Sequence, residues 1–380
     1  MEGPRAAWAD ELAAVVALAD AVFGEYRPHD MGRWYPTLFR RENVDRLRVF
    51  VDDGRPVALA GFTVNRVATP GVSFTAACIG AVCTLKSHQG RGLGTRLMDD
   101  CVARSRGEGA DVLLISGGRG LYRRMGCIDA GEYFTLVIAR SAASRVATSL
   151  PGATIREWTE RDLPNLVALQ KREPVRFERG PDEFLAFLGA GYLMDRFCRT
   201  WIVETGSGIQ AYLSVQDARD APEGRTISVQ EIGGSRISIL AAISLLLERY
   251  DAAYVEIRCL NADLEMRALA AQLGLAATPS GFHGTVRVMN PAAAGSILSG
   301  LTGCLLPSRE AGAVNFAADA AGLSIGLAGE AHRVEGFEDL TALLFGSPER
   351  TAPLPASGPI RELLAGILPV PLVDYGLNYI

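Results

Sequence analysis

The run Gln89-Gly90-Arg91-Gly92-Leu93-Gly94 stands where a strand-like sequence changes to a helical one, and its residue types could do chemistry. The first N–H groups of a helix lack partners within it and the helix dipole adds partial positive charge, so such a junction accepts an anion. Glycines let a pyrophosphate approach that backbone closely. Lys86, Arg91 and Arg96 set three cations around the turn, which suits phosphate. The order Gln89-x-x-Gly92-x-Gly94 has neither the spacing of a dinucleotide fingerprint nor the lysine of a triphosphate loop. A packing role, in which the glycines let strand and helix come together, uses the same residues and stays open.

Tyr122 is the second candidate, shortly after Gly117-Gly118-Arg119-Gly120. Its phenol could donate a proton to a leaving group; its ring could equally pack, with the hydroxyl bound to backbone. Cys127 follows Met125-Gly126 without a histidine partner and is read as packing. The four histidines, at 29, 88, 283 and 332, make no H-E-x-x-H pair, and the seven cysteines contain no C-x-x-C pair. No metal is expected, and the odd cysteine count predicts reduced thiols.

The elements that must position these groups follow from periodicity. A helix is expected over Trp8 to Phe23, then a hairpin, Leu47 to Val51 and Val57 to Val67, around Asp53-Gly54. A strand over Phe74 to Leu85 leads into the glycine turn, and a helix with Leu93, Leu97, Met98, Cys101 and Val102 on one face ends at Gly107 and Gly109. A short strand, Asp111 to Ser116, precedes the Tyr122 helix, and a last strand near Phe134 to Ile138 closes the unit before Pro151-Gly152. The same order then recurs: Ile155 to Gln170, a hairpin over Thr200 to Val215, strand Thr226 to Ile232, and helix Ile237 to Tyr250 capped by Ser235. Strand Ala253 to Ile257, a helix around Arg267 to Leu273, and strand Thr285 to Met289 complete it. The second copy keeps only Gly233-Gly234 at its strand-to-helix junction and has no tyrosine helix, which predicts a retained fold without the cofactor site. After Asn290-Pro291 the composition turns to small residues, suggesting a third α/β domain.

At 380 residues, two or three domains are expected. With 48% apolar and 21% charged residues, the composition is that of an ordinary globular protein. A net charge of -5 with no basic stripe argues against nucleic acid. The start MEGPRAAWADEL lacks a signal-peptide pattern, and the apolar run Ile237 to Leu247 is too short to span a bilayer, so no membrane partner is expected and the expected address is cytoplasmic.

VCTLKSHQGRGLG resembles motif A of the GNAT superfamily of N-acetyltransferases, with Lys86 where many members carry proline. The duplicated unit, the run GGRGLYRRMGC and the extra C-terminal region together resemble the enhanced intracellular survival (Eis) family. The implied fold is mixed α/β: a catalytic GNAT-like domain over 1–148, a degenerate second one over 149–289, and a sterol carrier protein-like domain over 290–380 that supplies the C-terminus. The implied cosubstrate is acetyl-CoA and the implied acceptor a small-molecule amine, aminoglycoside-like polyamines being the best known, in a homo-hexamer. Val82, Cys83 and Thr84 would offer backbone to the pantetheine arm. Gln89, Gly90, Arg91, Gly92, Leu93, Gly94 and Thr95 would hold the pyrophosphate, and Gly117 and Gly118 would lie near the thioester. Tyr122 falls where that family has its general acid, and the α-carboxylate of the last residue, Ile380, where it has its base. Glu25 and Trp34 sit near positions lining the acceptor cavity; a surface Glu and a core Trp read the same. A docked structural terminus, protein lysine acetylation, a non-catalytic acyl-CoA sensor and a lipid carrier are the alternatives this resemblance leaves.

Overall fold

The computed structural model describes residues 1–24, 30–147 and 152–380, so the candidate Glu25 and the expected turn residue Pro151 lie outside the described residues. Strand β1 (Glu2–Ala6) precedes α1 (Leu12–Phe23) and the short α2 (Met31–Trp34). β2 (Leu47–Asp52) and β3 (Arg55–Thr69) form the expected hairpin, with Asp53 and Gly54 both at positive φ, 46° and 72°. Those angles match the right-handed twist of paired strands, which is why Asp-Gly turns there. β4 (Val72–Thr84), α3 (Leu93–Gly107), β5 (Val112–Ile115) and α4 (Gly120–Arg123) follow. On α3 the buried residues Leu93, Leu97, Met98 and Cys101 recur at three- and four-residue spacing and pack with Phe62, Ile79, Leu113 and Ile115 of the sheet. Arg48 of β2 pairs with Asp100 on the flank of α3.

β6 (Tyr133–Ala139), α5 (Arg140–Ala147), β7 (Thr154–Glu157), α6 (Leu163–Arg172), β8 (Arg176–Phe177), α7 (Pro181–Ala190) and β9 (Tyr192–Leu193) come next. β10 (Arg196–Thr205), β11 (Gly208–Arg219), β12 (Thr226–Gly234), α8 (Arg236–Arg249), β13 (Tyr254–Leu260), α9 (Leu264–Gln272) and β14 (Ala277–Ser280) complete the middle of the chain. The apolar run Ile237 to Leu247 lies in α8, where Ile239, Leu240, Ala242, Ile243, Leu246 and Leu247 are buried; Ser235 caps its start through the Ser238 N–H. No helix among the described residues is long and apolar enough to cross a membrane. The last part holds β15 (Thr285–Val288), α10 (Pro291–Leu305), α11 (Ser308–Ala311), β16 (Asn315–Ala318), β17 (Gly322–Leu327), β18 (Glu330–Glu335), α12 (Phe337–Phe345) and α13 (Pro359–Ile367).

Tertiary contacts divide the chain into two units. The first is Met1–Gly131 with Gly281–Val373 and Ile380; the second is Glu132–Ser280 with Asp374–Tyr379. The first carries strands in the order β1-β2-β3-β4-β5-β15 and the small sheet β16-β17-β18; the second carries β14-β6-β13-β12-β11-β10-β7. In each, a long antiparallel meander is followed by a parallel pair joined across a helix, β4 with β5 over α3 and β12 with β13 over α8.

Two expectations are corrected. The strand at Phe134 to Ile138, expected to close the first unit, pairs antiparallel with β13 in the second, from Tyr254–Ala139 to Leu260–Tyr133. The strand at Thr285 to Met289, expected to close the second unit, pairs with β5 in the first, from Thr285–Ile115 to Val288–Val112. A closing strand carries the same alternating pattern whichever edge it joins, so local sequence does not name its partner. The helix expected from Trp8 begins at Leu12, and Glu2–Ala6, for which no element was expected, form strand β1.

Candidate active site

β4 and β5 run in parallel register only from Ala76–Val112 to Ile79–Ile115. β5 then stops while β4 continues to Thr84, so the strands part at Gly80 and Ser116. A register shift against β3 between Leu59 and Gly61, with Ala81 at φ 52°, marks a bulge at this point of β4. A bulge bends its strand and opens the pairing beside it.

The carboxylate of Ile380 lies in that opening. The residue is 3% exposed, and Ser116 Oγ donates a hydrogen bond to a terminal oxygen. Gly80 forms the other wall: a Cβ there would overlap the Ile380 carboxylate carbon and stand 2.8 Å from its oxygen. Only glycine permits this approach. Tyr122 on α4 is 6% exposed, and a Cβ on Gly117 would come 3.3 Å from its ring. Ser116 and Gly117, adjacent in the chain, therefore touch the carboxylate and the tyrosine ring respectively. Thr285 Oγ1 on β15 donates to Gly117 O at 2.9 Å and fixes this segment.

The glycine turn begins one strand-end away. Gln89 Nε2 donates to Thr84 O at 3.1 Å, folding the turn back on β4, and His88 Nε2 meets Asp52 Oδ2 at 3.1 Å. That His88 contact, with the chain's N-terminal amine, holds the Asp52 carboxyl below its ordinary range. Gly90 and Gly92 have φ of 75° and 71°. A Cβ at Gly90, Gly92 or Gly118 meets nothing within 4 Å, and one at Gly94 meets only Leu121 at 3.8 Å. Packing against the protein thus does not account for these glycines; they leave bare backbone on open space. The N-cap of α3 is Gly92, with no side-chain cap, whereas Ser235, Asp263 and Asn290 cap α8, α9 and α10 with their side chains. α1, α7, α12 and α13 likewise begin without a side-chain cap, so the first α3 amides are open to any acceptor. Leu93 points into the core, while Arg91 and Thr95 are exposed. Helix-start N–H groups beside the exposed Arg91 suit an anion by charge.

On β4 beyond the opening, Val82 and Thr84 are half-buried and Cys83 is buried. Burial pushes the Cys83 thiol up to about 12, and the Cys127 thiol likewise to about 12. Both stay protonated near neutrality, so neither is a ready nucleophile. Trp34 is buried at the end of α2, which packs on α1. Among the described residues no group of three or more His, Cys, Asp or Glu could hold a metal. Nothing in the sequence points to Ser116 and Gly80, which touch the Ile380 carboxylate: a serine and a glycine at strand ends carry no signal of a partner at the far end of the chain.

Residues 4–128 match the family described as Acetyltransferase (GNAT) domain. No curated protein sequence matches the chain at a significant level. Among solved structures, a GCN5-related N-acetyltransferase from Kribbella flavida is similar over 98% of each chain, with a TM-score of 0.64 at 16% identity. A GCN5-related N-acetyltransferase from Anabaena variabilis covers 89% of this chain and 88% of its own, with a TM-score of 0.61 at 12% identity. Eis1 from Mycobacterium abscessus covers 90% and 88%, with a TM-score of 0.55 at 16% identity. At these identities the likeness speaks to fold, a mixed α/β architecture shared over most of the length. Within the first unit, residues 4–128 are thus similar to a GNAT acetyltransferase domain.

Proposed function

We propose that the chain is an acetyl-CoA-dependent N-acetyltransferase that transfers the acetyl group directly to a primary amine of a small molecule. The observation that carries this reading is the buried Ile380 carboxylate, bound by Ser116 and set against Gly80 where β4 and β5 part, with the next residue, Gly117, facing the Tyr122 ring. Bound acetyl-CoA would supply an activated acetyl thioester. The backbone of Val82, Cys83 and Thr84 would hold the pantetheine arm, and Gln89 through Thr95 the pyrophosphate. Gly117 and Gly118 would flank the thioester.

In the transfer, the amine nitrogen forms a C–N bond to the acetyl carbon as the C–S bond breaks. The Ile380 carboxylate takes the amine proton, directly or through one water, and the Tyr122 hydroxyl gives a proton to the departing sulfur. A free thiol has a pKa of about 8.5 and a tyrosine about 10, so this donation depends on position more than on acidity. Trp34, with Glu25, would contribute to the acceptor cavity, and an aromatic face beside an acid suits a cationic amine. Residues 290–380, the sterol carrier protein-like segment of this reading, would serve chiefly to bring the terminus to the site.

Appending a few residues after Ile380 removes the carboxylate from the opening. Amine-stimulated thiol release should then fall about a hundredfold or more, with acetyl-CoA still bound, whereas Ile380→Ala should change it little. Undiminished turnover in the folded, extended protein would overturn the terminal base. A screen of amines, amino acids and peptides for stimulated thiol release tests the acceptor class; stimulation by peptides alone would replace the small amine with a protein lysine.

A further inference from the structure

The second unit repeats the strand opening of the first, and that opening is filled by the chain itself. β12 and β13 run parallel only from Thr226–Tyr254 to Val229–Ile257, after which β12 continues to Gly234 beside β11. Glu231 on β12 and Arg258 on β13 lie just past the last pair. Arg258 binds Asp374 through two nitrogens, one contact at 3.1 Å, with its guanidinium 4.8 Å from the Tyr133 ring centroid. Glu231 accepts from the Leu377 N–H at 2.9 Å, from the Tyr212 hydroxyl at 2.8 Å, and from Arg179 at 2.8 and 2.5 Å. Arg179 also donates through Nε to Asn378 Oδ1 at 2.5 Å.

These groups are buried: the side chains of Arg179 and Glu231 are 3% and 12% exposed. Burial alone would raise the Glu231 carboxyl, but the Arg179 guanidinium and the Leu377 and Tyr212 donors hold it below its ordinary range. Leu377 packs among Leu166, Phe184, Leu188 and Tyr212. Gly376, at φ 50°, lies so close to the Glu231 carboxylate that a Cβ would overlap it. A carboxylate, an arginine and a second ion pair, all spent on four residues of a terminal segment, make a built site for a peptide.

We infer that the opening between β12 and β13 is a clamp for the chain's own C-terminal segment, in which Arg179, Glu231 and Arg258 are positioning residues for the Ile380 carboxylate. The inference rests on the terminal carboxylate acting as the base. The ligand is the segment Asp374 to Tyr379, read by an acid-binding arginine at one end, a carboxylate that accepts backbone N–H in the middle, and an arginine that binds the Asn378 side chain. Tyr379 precedes Ile380 by one peptide bond, so a clamp on residues 374 to 379 limits how far the terminal carboxylate can wander. The duplicated unit, which lacks the glycine turn, thereby has a use: the strand opening that would face coenzyme in the first unit faces peptide in the second.

The test uses the full chain. Arg179→Ala and Glu231→Ala leave a buried charge unpaired and threaten folding, so Gly376→Ala and Asn378→Ala are the informative variants, with hydrogen exchange followed in residues 374–379 and in β10 to β13. Expected are tail exchange faster by about tenfold or more, unchanged protection of β10 to β13, an unchanged acetyl-CoA dissociation constant, and a kcat lower by about a hundredfold. Unaltered tail exchange in both variants would overturn the clamp. Faster exchange with undiminished kcat would overturn its positioning role. Should extension past Ile380 leave turnover intact while these variants still release the tail, the base is lost and the clamp itself is upheld.

Discussion

At the residue scale, the site rests on a few close approaches that only particular side chains allow. Gly80 admits the Ile380 carboxylate because it has no Cβ, and Ser116 supplies a hydroxyl donor from the matching end of β5. Tyr122 presents its ring against Gly117 from α4, a helix of four residues held by the Tyr122 N–H to Arg119 O bond at 2.9 Å. Replacing its hydroxyl leaves the ring and the packing in place. Tyr122→Phe should therefore lower kcat by about a hundredfold with little change in melting temperature or in acetyl-CoA affinity; steady-state kinetics beside calorimetry distinguish this from a packing role, which would move stability and spare kcat. The glycine turn and the short helix of Tyr122 could be read from sequence because their signals are local. Ser116 and Gly80 could not, since nothing near them announces a partner at residue 380. Trp34 is a buried residue of α2, and Glu25 lies outside the described residues, so both enter only through the proposed acceptor cavity.

At the scale of elements, the strand-turn-helix of β4 and α3 is where the proposed coenzyme contacts would gather. β4 brings backbone to the opening, the turn reverses through two left-handed glycines, and α3 begins without a side-chain cap. Gly92 has room for a methyl group, since a Cβ there meets nothing within 4 Å, so the cost of Gly92→Ala is conformational. Holding alanine in the left-handed region costs about 1 kcal/mol. If that strain is felt when the turn closes on ligand, the acetyl-CoA dissociation constant should weaken about five- to tenfold with kcat nearly unchanged, as isothermal titration would show. The periodicity of α3, the Asp53-Gly54 hairpin and the Ser235 cap of α8 are all readable from the chain, because each depends on residues within a turn or two. The partners of β6 and β15 are not, because edge pairing is settled by long-range register.

At the scale of the molecule, the last residues of the chain divide between the two units, Asp374–Tyr379 with the second and Ile380 with the first. Much of the second unit's polar interior is carboxylate bound by arginine. Asp162, held by two contacts from Arg156 at 2.7 Å, has its carboxyl well below the ordinary range, chiefly through that bond, and Glu231 is lowered by Arg179 against its burial. Because both groups are more acidic folded than unfolded, their stabilisation is complete above the ordinary carboxylate range and is lost as pH falls through the folded-state values, below about 4. Thermal midpoints should hold between pH 7 and 5 and drop below pH 4, and Asp162→Asn and Glu231→Gln, each less stable at pH 7, should show a shallower drop. Equal slopes in the parent and both variants would remove these carboxylates from the account.

The sequence by itself determined the glycine turn, the helix that follows it, the short helix of Tyr122 and the repeated order of a meander and a parallel pair. These are products of periodicity, turn chemistry and spacing, which act over a few residues. Tertiary structure alone decided where the closing strands pair, which residues meet the terminal carboxylate, and what the second strand opening holds. Each of those outcomes joins groups a hundred or more positions apart, such as Ser116 with Ile380 and Glu231 with Leu377. A serine, a glycine or a glutamate has the same local sequence whether it faces solvent, packs in a core or holds the end of its own chain; only the folded backbone selects among these.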